Sequence, residues 1–402
     1  MSHEIVIAGA GIGGLCAALA LKLRGFDVAV YEQAPELKEV GAGLQLSPNA
    51  MHVLQALGIA EEVKAVSFCP QKAVMRHYKT GKEYFEVPLG DTASHKYSAD
   101  YLHIHRHDLH HIILKACDKL KVSIHLGVEI QKYEQSDENV VIELNEDKQL
   151  TAKLLIGADG IKSNVQACML GHSSADFTGQ VAWRGVVPAN KLPKGLIKPN
   201  ANLWVGPNKH FVSYYVRGGE LVNFVAVQER TDWLNESWNE AGNISELQQT
   251  FNDWHPEVTE LLAATESCFL WALYDRKPLD KWVDGSVALL GDACHPMLPF
   301  LAQGAAMAIE DSYALAHCLA TNNNYHEALQ SYQAKRFSRT QDIQLGAAKN
   351  ADLYHMSSFS SRAKLAVLSG LKYFGLSNAL AANKLDSIYN YNIVKQLQQM
   401  DS

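Results

Sequence analysis

Gly9-Ala10-Gly11-Ile12-Gly13-Gly14 is a pattern that cradles phosphates, and Glu32 stands eighteen positions beyond its last glycine. Gly9, Gly11 and Gly14 have separate tasks: a tight turn, close approach of backbone to a pyrophosphate, and close packing of helix on strand. The phosphates sit where free N–H groups and the helix dipole favour negative charge, and Glu32 accepts hydrogen bonds from a ribose diol. NAD, NADP and FAD all carry an adenosine pyrophosphate, so the loop alone does not choose among them. Two more acids end apolar runs, Asp159 in Gly157-Ala158-Asp159-Gly160 and Asp292 in Gly291-Asp292. By itself a strand-end Asp is more often a helix or turn cap.

Five histidines lie between Tyr101 and His111: His103, His105, His107, His110 and His111. Neither zinc-type spacing nor a cysteine or carboxylate cluster accompanies them, so no metal site is expected. They read as ordinary strand and helix-surface side chains. Arg106 is the functional candidate of this stretch, with Asp108 near a helix start. Further on, His210 and Tyr214 differ by four and share one face if they lie on a strand.

These residues need a scaffold. Glu4–Ala8 reads as a buried strand, a helix follows the glycine loop to about Arg24, and Asp27–Tyr31 is a second strand, which together make a βαβ unit. Gly41 and Gly43, ahead of an amphipathic stretch from Ala50 to Leu57, either let main chain pass close to something flat or phosphorylated or belong to a mobile surface loop. Residues 68 to 100 alternate as edge strands do. Val122–Gly127 and Val140–Leu144 read as a hairpin-like layer, and Leu154–Gly157 as a buried strand. From Gln180 to Gln228, four strand-like segments separated by Pro, Gly and Asn turns suggest an antiparallel sheet in a second domain. Residues 244 to 264 look helical with a break at His255-Pro256. After a buried strand at Ser286–Leu290, a helix runs from about Gln303 to Leu319, and the remainder is mostly helical.

The chain has 402 residues, long for one core, which suggests two interleaved or successive domains. Its apolar fraction of 47% and charged fraction of 20% are ordinary for a soluble enzyme, and a net charge of −7 argues against nucleic acid or anionic membrane as partner. Seven scattered cysteines without a CxxC pair suggest reduced core thiols and a cytoplasmic setting. No signal peptide or membrane-spanning run is read in the chain. An apolar stretch around Leu365 to Leu380, with Tyr373 and Phe374, reads as a dimer contact or core-facing helix in preference to a membrane-surface helix.

In this order, the glycine loop with Glu32, Gly157-Ala158-Asp159-Gly160 and Gly291-Asp292 resemble the single-component FAD-dependent aromatic monooxygenases of para-hydroxybenzoate hydroxylase-like fold, over nearly the whole chain. Tyr31-Glu32-Gln33-Ala34, Gly41-Ala42-Gly43-Leu44, Val181-Ala182-Trp183-Arg184-Gly185 and the run from Gly291 through Gln303-Gly304-Ala305 to Glu310-Asp311 are most similar to the salicylate, 3-hydroxybenzoate and 6-hydroxynicotinate hydroxylases. The resemblance implies an α/β fold, with a Rossmann-like FAD-binding domain at 1-70, 101-175 and 276-345. A smaller antiparallel-sheet substrate domain is interleaved at 71-100 and 176-275, and a helical C-terminal segment covers 346-402.

It implies bound FAD held by Gly9, Gly11, Gly13, Gly14, Glu32, Gly43, Leu44, Arg106, Asp159, Asp292, Gly304 and Ala305, with NADH or NADPH as a transient reductant. Small residues at the start of the Gly304 helix would let N–H groups approach the flavin pyrimidine edge. It further implies that O2 and a small aromatic substrate meet at His210 and Tyr214, and that oxygen is transferred from a flavin C4a-hydroperoxide. The protein's part is then to orient the ring and exclude water. Gln45 and Pro299 depart from the nicotinate and 3-hydroxybenzoate enzymes, so neither specificity carries over. The alternatives are an FAD-dependent reductase or dehydrogenase on the same fold, and a non-catalytic flavin-binding protein.

Overall fold

Ile5, Val6 and Ile7 are apolar at consecutive positions, the pattern of a strand covered on both faces. In the computed structural model they form the centre of Ser2–Ala8, fully buried between parallel neighbours Val28–Glu32 and Gln149–Gly157. The structure describes residues 2–37, 42–136, 138–171, 176–230, 240–356, 358–371 and 376–400. Gly41, Tyr373 and Phe374, singled out above, lie outside them.

Among the described residues the first sheet runs Val283–Asp284, Val287–Leu289, Gln149–Gly157, Ser2–Ala8, Val28–Glu32, Ser123–Leu126. The helix Ile12–Lys22 packs between this sheet and the helix Gly304–Thr321. Gly13 explains the closeness, since a Cβ there would come within 2.8 Å of Leu290. The expected hairpin layer is corrected here. Ser123–Leu126 pairs in parallel with Val28–Glu32, whereas Val140–Leu144 pairs antiparallel with Ile130–Gln135 and Gln149–Gly157.

The second sheet runs Glu240–Ala241, Phe269–Asp275, Asp176–Pro188, Leu221–Glu229, Lys209–Val216, Ala201–Gly206, Lys72–His77, Glu83–Pro88. All of its pairs are antiparallel except Ala201–Gly206 with Lys72–His77. One face carries Trp183, Trp204, Phe211 and Phe224 into an aromatic core covered by Ile244–Thr250 and Pro256–Ala263. The stretch read as edge strands also contains a short helix, Asp91–Tyr97, whose mixed polar sequence carries little helical periodicity.

A two-stranded ribbon, Gly43–Leu46 with Leu102–His105, lies against Lys209–Val216 of the second sheet and against the helix Gly304–Thr321. Every residue of Leu102–His105 is buried, His103 and His105 among them; His110 is buried too, which corrects its helix-surface reading. The expected boundary at 345/346 falls inside the long helix Tyr325–Tyr354. Beyond it, Phe359–Leu371 and Leu376–Tyr389 are separate helices, where one apolar helix was expected. No single helix among the described residues is long and apolar enough to cross a membrane. Five cysteines are buried, but Cys69 and Cys168 are exposed, so not all are core thiols.

Candidate active site

The three acid and glycine motifs meet because their strands are neighbours. Ala8 pairs with Gly157 and Gly157 with Leu289, so all three chains turn away at the carboxyl edge of one sheet, where parallel sheets bind ligands. Gly9 takes φ +96°, and a Cβ there would come within 2.5 Å of the Ala158 carbonyl oxygen. At Gly14 a Cβ would lie 2.0 Å from the Gly9 carbonyl oxygen, whereas at Gly11 nothing lies within 4 Å. Gly14 thus serves packing, and Gly11 opens onto free space at the N-terminus of Ile12–Lys22. The side-chain position of Gly13 faces protein, which leaves only its backbone for a ligand.

Glu32 receives the Ala10 N–H at 2.8 Å and the Ala34 N–H at 2.9 Å, which ties the loop to the second strand and keeps the half-buried carboxylate beside it. Asp159 receives the Ser163 hydroxyl at 2.5 Å and the Val165 N–H at 3.2 Å, a capping arrangement for the helix Asn164–Leu170. Asp292 reaches solvent, although enough protein surrounds it that burial pushes its carboxyl upward, with His295 and Arg106 opposing. Such an accessible carboxylate walled by protein marks a cleft. Gly304, the first residue of its helix, lies on the same cleft: a Cβ there would be 3.8 Å from Met297 and 4.0 Å from an Asp292 oxygen. Ala305 beside it is half-buried.

This donor set fits FAD. Free space over Gly11 at a helix start suits a pyrophosphate, Glu32 and Asp292 supply acceptors for hydroxyls, and Gly304 and Ala305 offer N–H groups without side-chain bulk. A direct test follows. Gly11→Ala should fold as the parent does by circular dichroism yet purify depleted of flavin, while Gly14→Ala should cost about 3 kcal/mol of stability through overpacking. Full flavin content in Gly11→Ala would contradict this use of the loop.

Gly43 sits against the second sheet. Its N–H donates to Asn223 Oδ1 at 2.7 Å, and a Cβ would lie 2.6 Å from the Tyr214 ring, so the glycine admits protein side chains and its N–H is already engaged. Leu44 is partly buried against the main core. Arg106 begins the helix Arg106–Lys119, and its N–H donates to the Ala42 carbonyl, which fixes the ribbon to that helix.

His210 and Tyr214 lie on Lys209–Val216 with Val212 between them, on the face opposite Phe211. At strand spacing their Cα atoms stand about 13 Å apart. Tyr214 packs on His103, ring centroids 4.4 Å apart, and burial pushes its phenol above the usual range against the pull of Arg184. It is therefore a protonated hydrogen-bond donor near neutral pH. His210 meets Phe300 and Tyr354 edge-on, and burial, assisted by His355, holds its imidazole well below the ordinary value. It is neutral at neutral pH.

Three further side chains matter here, of which the sequence reading reached only Arg184. Arg184 lies over the Trp271 ring at 4.1 Å; burial lowers it to about 10, so it stays charged at neutral pH. Asn223 is paired across the strands with Tyr214 and holds the ribbon at Gly43. His355 bonds to His210. The Val-Ala-Trp-Arg-Gly stretch pointed to the first; no local signal pointed to the others.

Cys294, His295 and Asp311 lie close enough to share a cation, but Arg336 and His295 already engage Asp311, and the guanidinium supplies the positive charge. A cavity of 210 Å³ is lined by none of the motif residues, and its Lys64 and Ser94 both pair with its Asp100.

Comparison with known proteins gives one picture. Residues 2–345 match a family described as FAD binding domain. The chain is 36% identical over 376 residues to 3-hydroxybenzoate 6-hydroxylase 1 of Aquipseudomonas alcaligenes, covering 92% of this chain and 94% of that one. It is also 36% identical over 348 residues to 6-hydroxynicotinate 3-monooxygenase of Pseudomonas fluorescens, covering 85% and 90%. Among solved structures, a salicylate hydroxylase substrate complex superposes with TM-score 0.82 at 26% identity, covering 99% and 97%. Klebsiella pneumoniae HpxO complexed with FAD and uric acid gives TM-score 0.83 at 25% identity, covering 94% and 96%.

Proposed function

The chain belongs to the FAD-dependent aromatic hydroxylases, and on that footing we propose that it oxidises a phenolic, carboxylate-bearing ring held between His210 and Tyr214. FAD is its cofactor and NADH or NADPH the passing reductant. When bound, the flavin takes electrons from the nicotinamide nucleotide and passes one atom of O2 to the ring. Gly9, Gly11, Gly14, Glu32 and the Gly13 backbone would hold the adenosine pyrophosphate half. Arg106, Asp159, Asp292, Gly304 and Ala305 would serve the rest. The division of the chain at 1-70, 101-175 and 276-345 against 71-100 and 176-275 is part of this reading.

The observation that carries the proposal is the shared strand face of His210 and Tyr214, with charged Arg184 electrostatically coupled to Tyr214. A phenolate is a far better nucleophile toward electrophilic oxygen than a phenol. Neutral His210 accepts the proton of the substrate hydroxyl, Tyr214 donates a hydrogen bond that orients the ring, and Arg184 favours a carboxylate on it. Phe300, Tyr354 and Trp271 keep the surroundings apolar, which strengthens each of these interactions.

The reading implies a cytoplasmic enzyme, supplied there with reduced nicotinamide nucleotide. A homodimer is its proposed assembly, with Val367, Leu376 and Leu380 as the exposed apolar side chains available to it. The proposal is tested by NADH and NADPH oxidation against hydroxybenzoates and hydroxynicotinates, with product measured against H2O2. At least one ring carrying both hydroxyl and carboxylate should be hydroxylated with most of the NAD(P)H coupled to product. Activity confined to rings without a carboxylate would remove Arg184 from its role.

A further inference from the structure

His210 is one end of a hydrogen-bonded chain. Its Nδ1 lies 2.8 Å from Nε2 of His355, and Nδ1 of His355 lies 2.9 Å from Oε1 of Glu229. Both histidines are buried, while the Glu229 side chain is 37% exposed, so the chain leads from the interior to water. Backbone holds it in place. His355 caps the C-terminus of Tyr325–Tyr354, its carbonyl accepts the Asn208 N–H at 2.7 Å, and the Asn208 carbonyl accepts the Glu229 N–H at 2.9 Å.

The direction of each hydrogen bond follows from the outer end. A carboxylate only accepts, so His355 carries its hydrogen on Nδ1 and presents a lone pair at Nε2. His210 must then donate from Nδ1, which leaves its own Nε2 as the lone pair. No hydrogen bond to that atom is found among the described residues. Orientation of a catalytic imidazole through its second nitrogen is the logic of an acid–histidine pair, here extended by one ring.

We propose that His355 and Glu229 are a proton relay that carries the substrate hydroxyl's proton from His210 to the surface and returns it when the product phenol forms. It rests on the reading of His210 as the base. The substrate O–H bond breaks and its proton goes to His210 Nε2. The Nδ1 proton of His210 passes to His355 Nε2, and the Nδ1 proton of His355 passes to Glu229, from which water takes it. Both rings end neutral with their hydrogens on the opposite nitrogens, and reprotonation of the product in the reverse direction restores them. A cation left on His210 would be costly in this apolar setting. The charged or titratable groups facing His355 are His210 from its strand, Glu229 from the neighbouring strand and Asp352 on its own helix, and the helix C-terminus also favours a passing positive charge there.

The test uses FAD-loaded Glu229→Gln, His355→Gln and His210→Asn, with the wild type's fastest hydroxybenzoate or hydroxynicotinate as probe. Proton release on probe binding is followed by stopped flow with a pH indicator in weak buffer, beside probe affinity and the flavin spectrum. Glu229→Gln and His355→Gln should bind the probe as the wild type does but release the proton at least about tenfold more slowly. His210→Asn should fail to release it. Glu229 is partly exposed, so its variant keeps the test open should His355→Gln not fold. Wild-type release in Glu229→Gln, or release and binding slowed together, would overturn the relay while leaving His210 as base. Wild-type release in His210→Asn would overturn the base itself.

Discussion

Replacing His210 with alanine is expected to slow hydroxylation about 10²- to 10⁴-fold and divert reducing equivalents to H2O2, with FAD content unchanged. The reason is geometric. His210 sits on the second sheet, against Phe300 and Tyr354, whereas the glycine loop and Glu32 that would hold the adenosine half lie on the first. Burial keeps its imidazole neutral, so the wild type is ready to accept a proton and the alanine variant has no acceptor there. Alanine also leaves His355 Nε2 without its donor, so His210→Asn is the control for packing. A wild-type ratio of product to H2O2 in both variants would remove His210 from catalysis.

Arg336→Met should cost about 3–5 kcal/mol of stability, because it strips the cation from a fully buried ion network. Arg336 reaches Glu310 at 2.7 Å and Asp311 at 2.7 Å, and none of the three side chains is exposed. Glu310 also receives Asn49 at 2.7 Å and Arg339 at 2.8 Å, while Asp311 receives the Gly291 N–H at 3.3 Å and bonds to His295 at 2.5 Å. The network thus ties the Gly291-Asp292 turn to the helix Gly304–Thr321 and to the long helix behind it. Burial alone would raise both carboxyls, but Arg339 and Arg336 at Glu310, and His295 and Arg336 at Asp311, outweigh it and hold them below their ordinary values of 4.5 and 3.8. Carboxyls depressed in the folded state stabilise it above the unfolded values, and that stability is lost as pH falls below them. The deficit of Arg336→Met in urea unfolding should therefore persist from neutral pH down to the ordinary values of 4.5 and 3.8 and shrink as pH falls below them. A deficit that stays flat below those values would contradict the account.

Legibility in the sequence followed the range of the interactions. Gly9 to Gly14 could be read because the positive φ of Gly9 and the close approach of Gly14 to the Gly9 carbonyl are local demands that only glycine meets. Asp159 and Asp292 were singled out by the resemblance, since a strand-end Asp alone reads as a cap; their meeting at one sheet edge is set by strand pairing that the sequence does not spell out. His210 and Tyr214 were named by the resemblance, and strand periodicity accounts only for their sharing one face.

What was misread depended on distant partners. His110 looked like helix surface, yet it is buried with its Nε2 2.7 Å from the Ala10 carbonyl oxygen, 100 positions away. The neighbours of Gly43, Tyr214 and Asn223 from the other sheet, were equally out of sight. Ser123–Leu126 and Val140–Leu144 have strand patterns that do not encode which neighbour each will choose. His355 had no local signal at all, since His210 and Glu229 lie 145 and 126 positions away.

The central claim is that one oxygen atom from O2 ends on an aromatic ring held at His210 and Tyr214. The most direct measurement is turnover of the purified FAD-loaded protein with NAD(P)H, a hydroxybenzoate or hydroxynicotinate it oxidises, and heavy-isotope O2, with mass spectrometry of the product. The account predicts a single labelled oxygen in the product ring and little H2O2. Unlabelled aromatic acid recovered with H2O2 equal to the NAD(P)H consumed, for every member of the panel, would contradict it.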